Sequence, residues 1–430
     1  MSRSKRVIEW GKTALIVLLS ASALLLAWQT RLFNDYFASL PIFGSVAELV
    51  WGATGTAEPG RAAIKEAARP LNIVITNEEG GRHGVRYDTD ARDAVYERTS
   101  SILGEALGSA SAPTEISEDE WRSALSGAGV FFEYIIPVRL SVLDGWLGAR
   151  MTEISEDVRL RRIFVAFGED RSRLYFQEHE SGLYFGADTA SAAGKAQGLE
   201  IYGGNGALFA FETGIGGAEN APYMLMMPGS DHPDVRSAAA GSAEELLEIA
   251  LLAFGQSGES FSTYYLDDSD TLVCVGTQFN IRVFTDGRVR YRRPDVLPTD
   301  EESRSLSKSE IIEMARAITA DSIGGACGGA HIAFESYESD GDTSYIVFGY
   351  YIAGGRVYLS EDRHAASITI TAGIVTEAEM NFRHFSLTGE HTGLLPERQA
   401  LAAAGGEFML CYSDSGTEIL HPFWVKYGFW

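Results

Sequence analysis

Hydrophobic and polar positions change texture three times along the chain. Residues 13–30 (TALIVLLSASALLLAWQT) form an apolar run without a charge. As a helix rising 1.5 Å per residue, such a run reaches across a bilayer core. From Pro70 the pattern becomes periodic. Leu71, Ile73 and Ile75 alternate as in a strand broken by Gly80-Gly81, and Ala94, Val95, Ile102, Leu103 and Leu107 repeat as on a helix over about 89–107. Ser117-x-x-Glu120 predicts a capped helix through Trp121 to Leu125, with a strand over 129–136 and a short helix over 140–147. From about 158 strands dominate. Segments 163–167, 174–177 and 183–185 predict an antiparallel meander, and Gly-rich 203–220 predicts loops and a strand.

Two later blocks share one plan. Ser242-x-x-Glu245 caps a helix with Leu247, Leu251 and Phe254 on one face, and strands follow with a hairpin at Asp286-Gly287. Ser307-x-x-Glu310 caps the next helix, where Ile311, Ala315 and Ile318 recur at i, i+4 and i+7. Strands then follow at 331–337, 344–352, 356–359, 366–371 and 375–385. The element order repeats although the residues do not, as in duplicated α+β units.

Charge gives the apolar run a direction. The first 12 residues hold Arg3, Lys5, Arg6 and Lys12 against Glu9, and this excess keeps an N-terminus cytoplasmic. The rest of the chain is then exported. Trp10 and Trp28 suit the two headgroup regions. A cleaved signal peptide is the competing reading, but the A-x-A triplet Ala21-Ser22-Ala23 lies inside the apolar core rather than after it. The reading is therefore a retained single-pass anchor.

The whole chain carries −24, which leaves about −27 beyond residue 12. Such a surface repels phosphate backbones and argues against nucleic-acid binding. A hydrophobic content of 45% with 22 Phe and 18 Tyr argues for folded domains. Three cysteines, Cys274, Cys327 and Cys411, are too few for a disulfide framework, and their odd number leaves at least one thiol unpaired.

Catalytic patterns are absent. There is no H-E-x-x-H, no Gly-x-Ser-x-Gly, and Gly214-Ile215-Gly216-Gly217 lacks the Lys-Ser/Thr of a phosphate loop. His384 and His391 are the nearest pair of histidines, with no further ligands beside them. Gly325-Ala326-Cys327-Gly328-Gly329 resembles a nucleophile setting, but Gly325 replaces the needed Gln and no His lies between His232 and His331; a flexible turn is the simpler reading. Asp88-x-Asp90-x-x-Asp93 and Asp267-Asp268-x-Asp270 lack the Gly and distal Glu of a calcium loop. Asp90 reads as a helix N-cap and the Asp267 group as a turn. No metal, cofactor, small-molecule substrate or catalytic residue is expected.

Other features are more specific in combination. The basic N-terminus and anchor, the stretch from Gly129 (GVFFEYIIPVRL) to Gly145-Trp146-Leu147-Gly148, the strand-rich middle and the closing Leu420-His421-Pro422-Phe423-Trp424-Val425 together resemble the YycH/YycI family of membrane-anchored regulators of a sensor histidine kinase. The last block, with 345–351, 368–370 and Pro422-Phe423-Trp424, is also similar to PepSY-like domains. The resemblance implies an α+β fold: a transmembrane helix, a small α/β N-terminal ectodomain and two related helix-plus-antiparallel-sheet domains. The corresponding spans are a cytoplasmic tail 1–12, the anchor 13–30, a juxtamembrane segment and linker 31–69, an α/β domain 70–157, a mainly antiparallel β domain 158–300 and a PepSY-like α+β domain 301–430. It further implies a non-enzymatic protein outside the cytoplasm, partnered with a membrane kinase of the WalK type and a paralogous anchored regulator, and linked to cell-wall homeostasis. The alternative is a PepSY-type accessory or inhibitor of an exported cell-wall or spore-coat hydrolase. Within the anchor, Ser20, Ala23 and Ala27 put small side chains along one side, where helices approach closely in lipid. Small residues are common in any spanning helix, so this face is either an interface or lipid-exposed.

Overall fold

The computed structural model describes residues 67–427, apart from 152–153, 155–157, 169–170, 191–196, 230–231, 257–258, 267–269, 294–305 and 361–362. The expected anchor lies outside the described residues, as do Asp267 and Asp268.

The first layer comprises β1 (Asn72–Thr76), β2 (Arg82–Val85), α1 (Thr89–Gly108), β3 (Thr114–Ile116), α2 (Glu118–Leu125), β4 (Gly129–Arg139), α3 (Leu140–Leu147), β5 (Arg159–Ala166), β6 (Ser172–Glu178) and β7 (Tyr184–Thr189). Its seven strands run in the order β2-β1-β4-β5-β6-β7-β3, antiparallel throughout. Both faces are covered. Ile73, Ile75, Val130, Phe132, Ile163 and Val165 pack under α1 and α3, while Val74, Phe131 and Phe164 pack against Trp121 and Leu125 of α2. That two-sided burial explains why β1 and β4 read as nearly continuous apolar runs.

Beyond this sheet come the short ribbon β8 (Leu208–Phe209) with β9 (Leu225–Met226), and β10 (Pro233–Ala239). Next are α4 (Ala243–Ala253), β11 (Phe261–Tyr265), β12 (Leu272–Gly276), β13 (Asn280–Val283) and β14 (Arg288–Arg292). The chain continues with α5 (Lys308–Thr319), β15 (His331–Asp340), β16 (Thr343–Ile352), β17 (Gly355–Leu359), β18 (Ala366–Thr371), β19 (Ile374–Asn381) and β20 (Arg383–His391). It closes with α6 (Glu397–Ala404), β21 (Phe408–Asp414), β22 (Ile419–Leu420) and β23 (Phe423–Lys426).

An eleven-stranded sheet results, ordered β11-β12-β13-β14-β19-β18-β16-β17-β21-β23, with β15 also on β16. Strands β20, β10 and β22 form a separate three-stranded sheet. On one face of the large sheet, Leu246, Leu247 and Leu251 of α4, Ala315 of α5, and Val235, Phe385 and Leu420 of the small sheet share a core with Ile281, Val289, Ile346, Ile368 and Met380. On the opposite face the described residues cover one half. There Tyr351, Met409 and Cys411 meet Leu71 and Ile135 of the first layer.

Most local expectations hold. The 140–147 and 366–371 elements match residue for residue, and Ser242/Glu245 and Ser307/Glu310 form reciprocal capping boxes. Four readings change. The N-cap of α1 is Asp88, whose carboxylate accepts from the Ala91 N–H at 2.9 Å, while Asp90 stands in the first turn. The strand expected over 375–385 breaks at Phe382, whose N–H donates to the Gly287 carbonyl, so that β20 leaves to pair with β10. Helix α6 has no counterpart among the expected elements. Finally, β5–β7 continue the sheet of β1–β4, and β14 pairs with β19, so sheets run across both 157/158 and 300/301.

Candidate interaction surface

The half of the large sheet that no described residues cover is built by register. Val289 and Tyr291 of β14, and Ala378 and Met380 of β19, face the core, so strand alternation sends Arg288, Arg290, Arg292, Glu377 and Glu379 outward. The pairing sets Arg290 opposite Glu379 and Arg292 opposite Glu377, closing ion pairs at 2.5 Å and 3.1 Å. Each such cross-strand pair contributes about 0.2–1 kcal/mol. Around them Asn280, Arg282, Ser367 and Thr369 line a groove of about 730 Å³. Phe279 closes its floor, and a Cβ on Gly276 would stand 2.2 Å from the Phe279 ring. In an adjoining pocket that shares Arg290, Ser367 and Glu379 with the groove, Arg363 donates to Asp286 at 2.7 Å. Partial burial pushes the Asp286 carboxyl up, but the Arg363 bond and the Arg288 N–H outweigh it and hold the group below its ordinary value.

Two buried polar clusters hold the sheet in place against the first layer. In one, Arg162 donates to Glu133 at 2.8 Å and to Glu407 at 2.9 Å, Arg161 reaches Glu407 at 2.5 Å and Glu133 at 3.1 Å, and Asn72 donates to Glu133 at 2.5 Å. Burial opposes the Glu407 charge, yet the two guanidinium groups prevail and bring its carboxyl down to about 2. In the other, the Tyr87 hydroxyl donates to Glu397, with Arg86 3.7 Å from the same carboxylate. Here burial prevails over Arg86, and the Glu397 carboxyl lies above its ordinary value. Because Glu407 precedes β21 and Glu397 opens α6, the first cluster ties β21 to β1, β4 and β5, and the second ties α6 to the segment after β2.

Groups with catalytic outlines do not assemble a reacting centre. Cys327 is buried and its Sγ lies 3.1 Å from the Gly324 carbonyl and 3.0 Å from that of Ala330, while burial pushes the thiol up, away from the nucleophilic thiolate. The Gly-rich turn around it is packed rather than loose: a Cβ on Gly328 would stand 2.4 Å from the Phe385 carbonyl oxygen. Asp234, His421 and Thr392 form a triad by composition. However, the carboxylate at 3.1 Å and the hydroxyl at 2.9 Å both address Nδ1 of His421, so no proton path runs through the ring. His384 and His391 stand near opposite ends of β20, with a register shift between them. Among the described residues no group of three or more His, Cys, Asp or Glu is placed to hold a metal ion, and Cys274, Cys327 and Cys411 are free, buried thiols.

The anchor-face residues Ser20, Ala23 and Ala27 lie outside the described residues. The Arg and Glu ladder was not among the expected site residues, although a signal for it existed. Arg288-x-Arg290-x-Arg292 directly after an Asp-Gly turn, and Glu377-x-Glu379, place charge at strand period on one face.

The arrangement of these layers matches a solved structure, the crystal structure of YycH from Bacillus subtilis. The match has a TM-score of 0.54 and covers 84% of this chain and 94% of that one, at 12% identity. The fold is YycH-like. At that identity the likeness concerns architecture. No family model and no curated protein matches the chain.

Proposed function

We propose that this chain is a non-enzymatic, membrane-anchored regulator that acts outside the cytoplasm on a sensor histidine kinase involved in cell-wall homeostasis. The observation that carries the reading is the YycH-like architecture extending over 84% of the chain. It is supported by the basic N-terminus with the apolar run 13–30 and by a sheet face left open to contact. No helix among the described residues is long and apolar enough to cross a membrane, so the reading assigns spanning to 13–30 alone. The ectodomain reads as a small α/β layer followed by two related units, α4 with β11–β14 and α5 with β15–β19, joined through their last strands. In this reading Ser20, Ala23 and Ala27 line the contact with the kinase's own helices, and a paralogous anchored regulator shares the complex.

The test exchanges residues 13–30 for an unrelated spanning helix and measures kinase autophosphorylation in membranes, with cysteine crosslinking from positions 20, 23 and 27. The proposal expects altered kinase output and loss of crosslinks to the kinase. Unchanged output with full crosslinking elsewhere would transfer the contact to the ectodomain. Kinase output indifferent to deletion of the whole chain would remove the reading, and co-purification with an exported hydrolase would favour the accessory alternative.

A further inference from the structure

Strand β11 ends the large sheet, pairing with β12 on one side and with nothing among the described residues on the other. Its backbone orientation follows from one bond. Leu266 N–H donates to the Thr271 carbonyl at 3.0 Å, so by antiparallel alternation Tyr264 and Ser262 exchange hydrogen bonds with β12. Phe261, Thr263 and Tyr265 therefore turn N–H and C=O toward the free edge. Edge strands ordinarily carry a bulge, a proline or an inward charge against unwanted pairing. The segment FSTYY has none of these, and its register with β12 is unbroken.

The edge is also apolar. Phe261, Tyr264, Tyr265, Leu266 and Val275 are 38–51% exposed and make up five of the eleven exposed large hydrophobics among the described residues, so the concentration is local. Its ends are acidic: Glu259 precedes the strand, Asp270 follows it, and Glu244 of α4 accepts from the Tyr265 hydroxyl. No Lys or Arg occurs between Glu259 and Arg282.

We propose that β11 is a docking edge for an extended segment of a partner protein, which adds as a further strand and carries Lys or Arg at its ends with apolar side chains between. The edge supplies backbone donors and acceptors, Phe261, Tyr264 and Tyr265 supply apolar contact, and the acidic ends select the charge. A second copy of this chain is the poorer occupant. Antiparallel self-pairing about Thr263 sets Glu259 of each copy beside the acidic end of the other. The proposal deepens the contact-regulator reading and rests on it for the existence of a partner.

The probe is a fluorescein-labelled peptide, KVTVYVTVK, compared with EVTVYVTVE, titrated against the full chain in detergent by anisotropy. Binding of the Lys-ended peptide, weakened at least about ten-fold by Thr263→Pro, supports the edge, because that change removes an outward N–H without touching a bond to β12. A fold-independent check is Glu259→Lys with Asp270→Asn, expected to weaken the Lys-ended peptide by about three-fold or more at low salt and to strengthen the Glu-ended one. Equal binding of both peptides, no binding, or indifference to Thr263→Pro overturns the proposal. Kinase output with Thr263→Pro separates the two readings. Lost peptide binding with unchanged output keeps the edge and counts against the kinase as its partner, whereas no peptide binding with output still dependent on the chain keeps the regulator and discards the edge.

Discussion

Replacing Glu407 with Gln tests whether the two large sheets are locked together by charge. The side chain keeps its volume but loses the anion that faces Arg161 at 2.5 Å and Arg162 at 2.9 Å. The carboxyl falls from 4.5 to about 2 on folding. At 1.36 kcal/mol per pKa unit, that shift corresponds to about 3 kcal/mol of stability at pH 7. This sits within the roughly 3–5 kcal/mol observed when one partner of a buried ion pair is removed. The sign of the pH dependence follows from a depressed carboxyl. Its contribution is complete above the unfolded value of 4.5 and is lost as pH falls toward about 2. At pH 3.5 about 2 kcal/mol should remain. Urea unfolding of wild type and variant, followed by tryptophan fluorescence at pH 7 and 3.5, reads both numbers. A loss below about 1 kcal/mol at pH 7, or one that does not shrink on acidification, would refute the account of Glu407 as an ionised link held by Arg161 and Arg162.

Three further outcomes are expected. Gly349→Ala should cost about 3 kcal/mol or more in urea unfolding, because its Cβ would stand 2.0 Å from Glu335 Oε1 and displace a carboxylate that holds Arg356 through two 2.6 Å bonds. Trp121→Ala should cost about 3–5 kcal/mol, since the fully buried indole fills the space between β4, β5 and the Tyr184–Tyr223 pair. Trp121→Phe should cost much less, because the indole N–H reaches no acceptor among the described residues. Cys327 should resist a thiol-reactive disulfide at pH 8 in the native protein and react only on unfolding, because burial raises its thiol above the ordinary range; native-state modification at the rate of a free thiol would contradict this.

What could be read from the sequence was local. Ser242-x-x-Glu245 and Ser307-x-x-Glu310 satisfy orphan helix donors with their own side chains, so they announce helix starts without reference to anything distant. Asp286-Gly287 did the same for the β13–β14 turn, where Gly287 takes φ +85°. The errors arose where a distant partner decided the outcome. Phe382 sits in a run of strand formers, and its bonds to the Gly287 carbonyl and the Ala240 N–H end β19 there. Asp88 and Asp90 were equally good caps by type, and the geometry of the entering chain chose between them. The sheet boundaries were least legible, since β14 and β19 find each other across 81 intervening residues.

The same contrast applies to the surface. The chain has 29 Arg and six Lys against 59 acidic residues. Arg161, Arg162, Arg86, Arg356 and Arg383 are drawn into buried or half-buried carboxylate contacts, where a planar fork satisfies two oxygens and a lysine ammonium would satisfy one. These arginines bury Glu133, Glu407, Glu397, Glu335 and Asp414 with them, so the exterior keeps the acidic balance of the chain, and Arg290 and Arg292 stand out because their guanidinium groups stay at the surface, paired across strands. Among the described residues, the charge-laddered face and the edge at β11 interrupt this acidic exterior. The ladder can pair with either sign of charge. The edge at β11, bounded by Glu259 and Asp270, selects for a basic partner.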